Sequence, residues 1–155
     1  MNKRTEKKKV ILTLCRVFPA THSQAGKLTG FEGKLKSGEK IHTIRHNAKD
    51  VWQERYKGIE QGRKYLSVRE WMGRPYNSEQ REFARYDRIG LQHIRMVRVS
   101  SGEIPQVWVD GKSVPIEEVA RHDGLNLEDF IEWFFGGDKA DTFDGVVIHF
   151  TNFRY

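Results

Sequence analysis

Residues 38–47 read GEKIHTIRHN, and the reading of this stretch decides the fold. Ile41 to Ile44 has the β-branched character of a strand. Yet Lys40, His42, Thr43, Arg45 and His46 thread it with polar heads. A strand that only filled a core would have no use for them, whereas a strand at the mouth of a pocket would. On a regular strand Thr43 and Arg45 share one face and Lys40 takes the other. The three converge only if the strand begins after Lys40 or if a bulge intervenes. Gly38 allows a turn just before Lys40.

Working outward, residues 8–17, KKVILTLCRV, read as a strand, and residues 18–30, with Pro19 and several small side chains, as a loop. Thr29 can cap a short helix through Phe31 and Leu35 that Gly38 ends. Asn47 can cap a helix over residues 48–61, stopped at Gly62. KYLSVREWM, residues 64–72, alternates as a strand does, with Leu66 and Val68 on one side and Tyr65, Ser67, Arg69 and Trp71 on the other. GRPYNS is a turn, after which Ser78 can start a short helix through Phe83.

Residues 89–99 form a longer strand, and Asp110-Gly111 marks a tight turn inside PQVWVDGKSV. Pro115 opens a helix that Gly124 closes, and Asn126 caps a second, LEDFIEWFF, with Glu128 and Asp129 at its positive end. Residues 144–153 supply a last strand. Strands and helices do not alternate regularly, so the expected class is α+β: a small mixed or antiparallel β-barrel with short helices.

Bulk properties narrow the class further. A chain of 155 residues is expected to make one domain, and 12% aromatic residues need burial or a ligand. Five cations against Glu6 give the first nine residues a net charge of +4, leaving +2 of the total +6 for the rest. Residues 1–9 are therefore read as a solvated, disordered basic tail, and 10–155 as the domain. The lone Cys15 excludes an intramolecular disulfide and a multi-cysteine zinc site, and fits a cytoplasmic setting. The apolar part of the N-terminal segment, VILTLC, is too short for a signal or a membrane span.

The opening stretch also carries Gly38-x-Lys40-x-x-Thr43-x-Arg45. This G-x-K-x-x-T-x-R pattern resembles the signature of the ASCH domain, a branch of the PUA-like β-barrels. Residues 114–134 and 143–150 resemble that family's second half in the same order. The segment from Asn47 to Arg88 resembles it least and is read as an insertion with its own helix and strand. The resemblance implies a cleft lined by the motif and two kinds of activity, RNA or nucleoside binding and the hydrolysis of N4-acetylcytidine. Ribonuclease activity is also known in the family.

In the hydrolytic branch the catalytic set is the motif Lys, the motif Thr and an acid before the second helix. These fall on Lys40, Thr43 and Asp123, where that branch has Glu. The residue types suit amide hydrolysis. A desolvated Lys can share the proton of a Thr hydroxyl, an acid can protonate the departing amine, and Arg45 can anchor an oxygen or a phosphate. Asp123 also reads as an ordinary helix-ending residue beside Gly124.

Other candidates come from the residues alone. Arg69, Trp71, Arg74 and Tyr76 cluster around a strand end with Gly73 and Pro75, where a base could stack. With Gly38 and Arg45 they complete the expected ligand-binding set. Phe130, Trp133 and Phe134 follow helical spacing and read as core first. His42 and His46 read as bystanders, since a strand and turn with no carboxylate or thiol beside them do not make a metal site. The expected partner is RNA or a modified nucleoside, with no cofactor, metal or membrane.

Overall fold

The computed structural model describes residues 6–136 and 141–155 as a mixed α+β fold of four α-helices and two sheets. The first sheet has the order β1-β3-β4, built from Lys8–Thr13, Lys64–Trp71 and Gln80–Tyr86. β1 runs parallel to β3, and β4 is antiparallel to it. The second sheet is antiparallel in the order β2-β8-β5-β6-β7, formed by His42–His46, Asp141–His149, Gly90–Arg98, Gln106–Val109 and Lys112–Val114. Among the described residues the strands thus divide into two sheets and do not close into one hydrogen-bonded barrel.

One continuous buried cluster takes Leu12, Leu66 and Val68 from the first sheet and Ile94, Val109 and Ile148 from the second. The alternation in these strands places their apolar residues on that shared side. The segment read as an insertion therefore contributes core, because β3 is the central strand of its sheet and Leu66 and Val68 are fully buried.

The helices are α1 (Phe31–Ser37), α2 (Val51–Glu60), α3 (Ile116–His122) and α4 (Leu127–Phe135). Asn126 caps α4 as its sequence position suggests, its side-chain oxygen accepting the Asp129 N–H at 2.8 Å. Asn47 does the same for the start of α2, reaching the Trp52 N–H at 2.9 Å past a single 3₁₀ turn. Asp110 and Gly111, with φ of 48° and 80°, form the tight β6–β7 turn.

Three local expectations change. The helix expected from Ser78 is strand β4, whose residues complete the ladder on β3. Ser78 instead ties off the β3–β4 hairpin, donating to the Arg74 carbonyl and accepting from the Gly73 N–H. Thr29 stands one residue outside α1, whose N-cap is Gly30, and its hydroxyl donates to the carbonyl of Cys15 at 2.7 Å. Lys8 and Lys9, read both as the start of a strand and as the end of the basic tail, belong to β1, and Lys7 pairs with Asp87 at 3.0 Å. Residues 1–5 of that tail lie outside the described residues. No described helix is long and apolar enough to cross a membrane.

Candidate functional site

β2 begins at His42, after Lys40, and this satisfies the geometric condition set by the sequence. Gly38 ends α1 with φ of 82°, a backbone conformation that costs glycine little. The chain then threads between helices before the ladder starts. The Lys40 N–H donates to the Lys34 carbonyl at 3.0 Å, and the Ile41 N–H to that of His122 at 2.9 Å. Freed from strand alternation, the Lys40 side chain turns to the same cavity as Thr43 and Arg45.

That cavity has a volume of about 350 Å³. Lys40, Thr43, Arg45 and Asp123 supply its polar lining, and Phe31, Trp133, Phe134 and Phe143 its aromatic walls. The exposed Cys15 also lines it. Phe130 stays in the core as expected, whereas Trp133 and Phe134 from the same helix face the cavity.

Lys40 is 2% exposed, far below what an ordinary lysine tolerates. Its ammonium donates to the Asp123 carbonyl at 2.7 Å and to Asp123 Oδ1 at 3.2 Å, and lies 4.4 Å from the centre of the Phe31 ring. Gly124, at φ 82°, lets the backbone come this close, because a Cβ there would crowd the Lys40 chain at 3.2 Å. Asp123 is thus both the end of α3 and the carboxylate that meets Lys40, so ending the helix does not keep it from the cavity.

Burial pushes the Lys40 ammonium below the ordinary lysine range, opposed by Asp123 and reinforced by Arg45 and Lys34. Burial alone would raise the Asp123 carboxyl, but Lys40 and His42 outweigh it and hold it below the usual range. The two directions belong to one buried pair: the Lys40 charge holds the carboxyl low, while burial weakens that charge. The shift of the amine is the one that neighbouring cations reinforce, and it is the one that proton transfer at Nζ would use.

Arg45 ties the cavity wall together. Its Nη1 donates to Thr43 Oγ1 at 2.8 Å and to the Ile44 carbonyl at 2.9 Å, and its Nη2 to the Thr13 carbonyl of β1 at 2.8 Å. Since Arg45 is a donor only, Thr43 Oγ1 accepts from it, and the Thr43 proton is left to point elsewhere. Among the described residues no hydrogen bond joins Lys40 Nζ to Thr43 Oγ1.

The histidine of the motif segment is no bystander. His42 is fully buried, with Nδ1 3.3 Å from Asp123 Oδ1 and Nε2 2.7 Å from the Tyr155 hydroxyl. Burial lowers its pKa against the pull of Asp123. Sequence reading missed this role, and also missed Tyr155 and His122, whose Nδ1 lies 3.1 Å from the same hydroxyl. The one available signal was the placement of His42 inside the motif, which becomes informative only once α3 and the end of the chain are folded against it. His46 remains exposed, against the Phe143 ring.

Arg69, Trp71, Arg74 and Tyr76 do not line this cavity. Arg69 donates to Ser67 within its own strand at 2.9 Å. Trp71 and Tyr76 meet at 5.3 Å between ring centres on the β3–β4 hairpin, where Tyr76 is 87% exposed. Among the lining residues of the cavity that the sequence reading did not name as ligand groups are Phe31, Phe143, Cys15, Thr13 and His46.

One cluster has the composition of a metal site: His22, Asp129 and Glu132, with ligand atoms within 4.8 Å of one another. Its hydrogen bonds argue for a loop-to-helix tie. His22 Nδ1 accepts the Gln24 N–H at 3.0 Å, which places the ring proton on Nε2, 3.1 Å from the Asp129 carbonyl. Glu132 is occupied by the N–H and hydroxyl of Ser23. In comparisons with protein families, curated proteins and solved structures, nothing matches this chain.

Proposed function

We propose that this chain is an ASCH-type, PUA-like domain whose pocket takes a single nucleobase or nucleoside, free or presented by RNA. The observation that carries the reading is the convergence of Lys40, Thr43, Arg45 and Asp123 on one aromatic-walled cavity. About 350 Å³ falls at the small end of ligand pockets. A carboxylate accepts from an exocyclic amine such as that of cytosine, a hydroxyl and an ammonium donate to ring acceptors, and aromatic walls stack on the base. Burial favours a base over a phosphate chain, since Lys40 and Asp123 are 2% and 4% exposed.

A second reading, hydrolysis of an N4-acylated cytidine, is favoured by the lowered proton affinity of Lys40. Neutral Lys40 takes the Thr43 proton as Oγ1 attacks the acyl carbon, and Arg45 steadies the charge that builds on the acyl carbonyl oxygen. The C–N bond breaks and the amine leaves with a proton from Asp123. Water then attacks the acyl-threonine and gives up one proton to Asp123, while Lys40 returns the first to Thr43. The products are the free amine and the carboxylic acid.

Calorimetric titration with cytidine tests the first reading. Binding with weak salt dependence is expected, and Asp123→Asn should weaken it by about 1–3 kcal/mol while the fold holds. No binding of any nucleoside would sink it. For the second reading, release of cytidine from N4-acetylcytidine is expected and Lys40→Ala should abolish it. Absence of release at high protein concentration removes hydrolysis and leaves binding standing.

A further inference from the structure

Tyr155 sits between two histidines in a continuous line of hydrogen bonds that leads from the pocket to the half-buried His122. The chemistry of its inner end fixes the direction of every bond. Asp123 is ionised and can only accept, so His42 carries its proton on Nδ1 and donates to Oδ1. His42 Nε2 must then accept, and its partner at 2.7 Å is the Tyr155 hydroxyl. With its own proton given to His42, the Tyr155 oxygen accepts from His122 Nδ1 at 3.1 Å. All three donors point inward, towards the carboxylate that holds Lys40.

We infer that His122, Tyr155 and His42 form a proton relay that exchanges protons between solvent and Asp123. The inference rests on the hydrolytic reading of the pocket for its use, but not for its existence. One passage is balanced as follows. A solvent hydronium gives its proton to His122 Nε2 and leaves as water, and His122 Nδ1–H passes to the Tyr155 oxygen. The Tyr155 proton passes to His42 Nε2, and His42 Nδ1–H to Asp123 Oδ1. Asp123 becomes a neutral acid and every bond in the line reverses. The reversed line carries one proton out and restores the start.

This supplies what the ionised Asp123 lacks. A carboxylate held below its usual range has no proton for a departing amine. Import through the relay provides one in the first half of the reaction. In the second half, the proton that water yields leaves by the reversed line. The imidazoles suit the task because burial lowers both, so neither His42 nor His122 traps the proton as a stable cation. The other groups with electrostatic influence on the line are Lys40 and Arg45 on the pocket side and Glu118 and Arg121 of α3, while His149, itself lowered by Arg154, packs against the His42 and Tyr155 rings.

Nitrogen-15 NMR of the imidazoles of the intact, ligand-free protein tests the relay without reference to turnover. The His42 shifts should report the proton on Nδ1. Its exchange with water should slow by about a hundredfold in Tyr155→Phe, the lower end of what a positioned proton carrier contributes. His122→Gln, at a half-exposed site, should slow it similarly and decides the matter if Tyr155→Phe does not fold. A His42 proton found on Nε2, or exchange unchanged in the folded variants, overturns the relay. Failure of N4-acetylcytidine to release cytidine, with exchange slowed as stated, overturns the hydrolytic reading alone.

Discussion

The Lys40 pocket and the tip of the β3–β4 hairpin were both read from the sequence as places for a ligand, and the fold treats them in opposite ways. At the pocket, the buried Lys40, Thr43 and Asp123 and the half-buried Arg45 find one another: Lys40 meets Asp123, and Arg45 meets Thr43. At the tip, Trp71 and Tyr76 touch only at their rings while Tyr76 stands 87% exposed. A buried charge must be partnered or neutralised, whereas an exposed aromatic ring needs nothing. Dense pairing of polar groups where water is absent therefore marks a built site. Aromatic residues on an exposed loop do not, by themselves, mark one.

The sharpest way to break this contrast is to remove one partner on the buried side. Asp123→Ala strands the Lys40 ammonium and removes the acceptor of His42. A loss of about 3–5 kcal/mol in urea unfolding is expected, the range for breaking a buried pair from one side. The double substitution Lys40→Met with Asp123→Leu should recover most of it, because it removes the stranded charge. If Asp123→Ala costs no more than a surface change, the pair is not desolvated and the contrast fails.

The imidazoles beside the pocket give the next effect. His149 is fully buried, its Nε2 bonded to Gln92 Oε1 at 2.9 Å and its Nδ1 without a partner among the described residues. Burial above all, with the Arg154 charge and any protonation of His42 acting the same way, pushes its pKa down to about 3. The ring is then neutral when folded, while the unfolded chain takes up a proton near its ordinary value of about 6.5. The folded state keeps its full advantage above that value and loses it as the pH falls towards about 3. His149→Phe should make the fall shallower by up to about 1.4 kcal/mol per pH unit, the slope for one proton. Urea titrations across that range measure it. An unchanged slope would assign the acid lability to His42 and His122, which burial also lowers.

Legibility in the sequence follows the range of the interaction that decides each feature. The β6–β7 turn at Asp110-Gly111 and the cap at Asn126 are set by a few neighbouring residues and were readable. The start of β2 after Lys40 was readable as one of two conditions, because strand alternation lets the three motif residues converge only through such a start or through a bulge. Ser78 failed as a helix start because the ladder on β3, more than ten residues earlier in places, overrides local preference. His42 failed for the same reason at longer range: its partners are 81 and 113 residues away. Nothing within the motif distinguishes a histidine that meets solvent from one that meets Asp123.

The smallest expected effect tests the other side of the contrast. Tyr76 adopts φ of 64° on the hairpin tip, and Arg74 holds only the Asn77 N–H and the Ser78 hydroxyl through its carbonyl. Neither side chain lines the pocket. Tyr76→Ala and Arg74→Ala should each change stability by no more than about 0.5 kcal/mol, as for surface positions without buried contacts. Nucleoside affinity measured by titration should stay where it was. A loss of affinity in either variant would mean that the tip folds over the bound ligand, and the two regions would then be one site. The tip would act there by stacking on a base, a contribution of about 1–3 kcal/mol, large enough to separate the two outcomes in a single titration series.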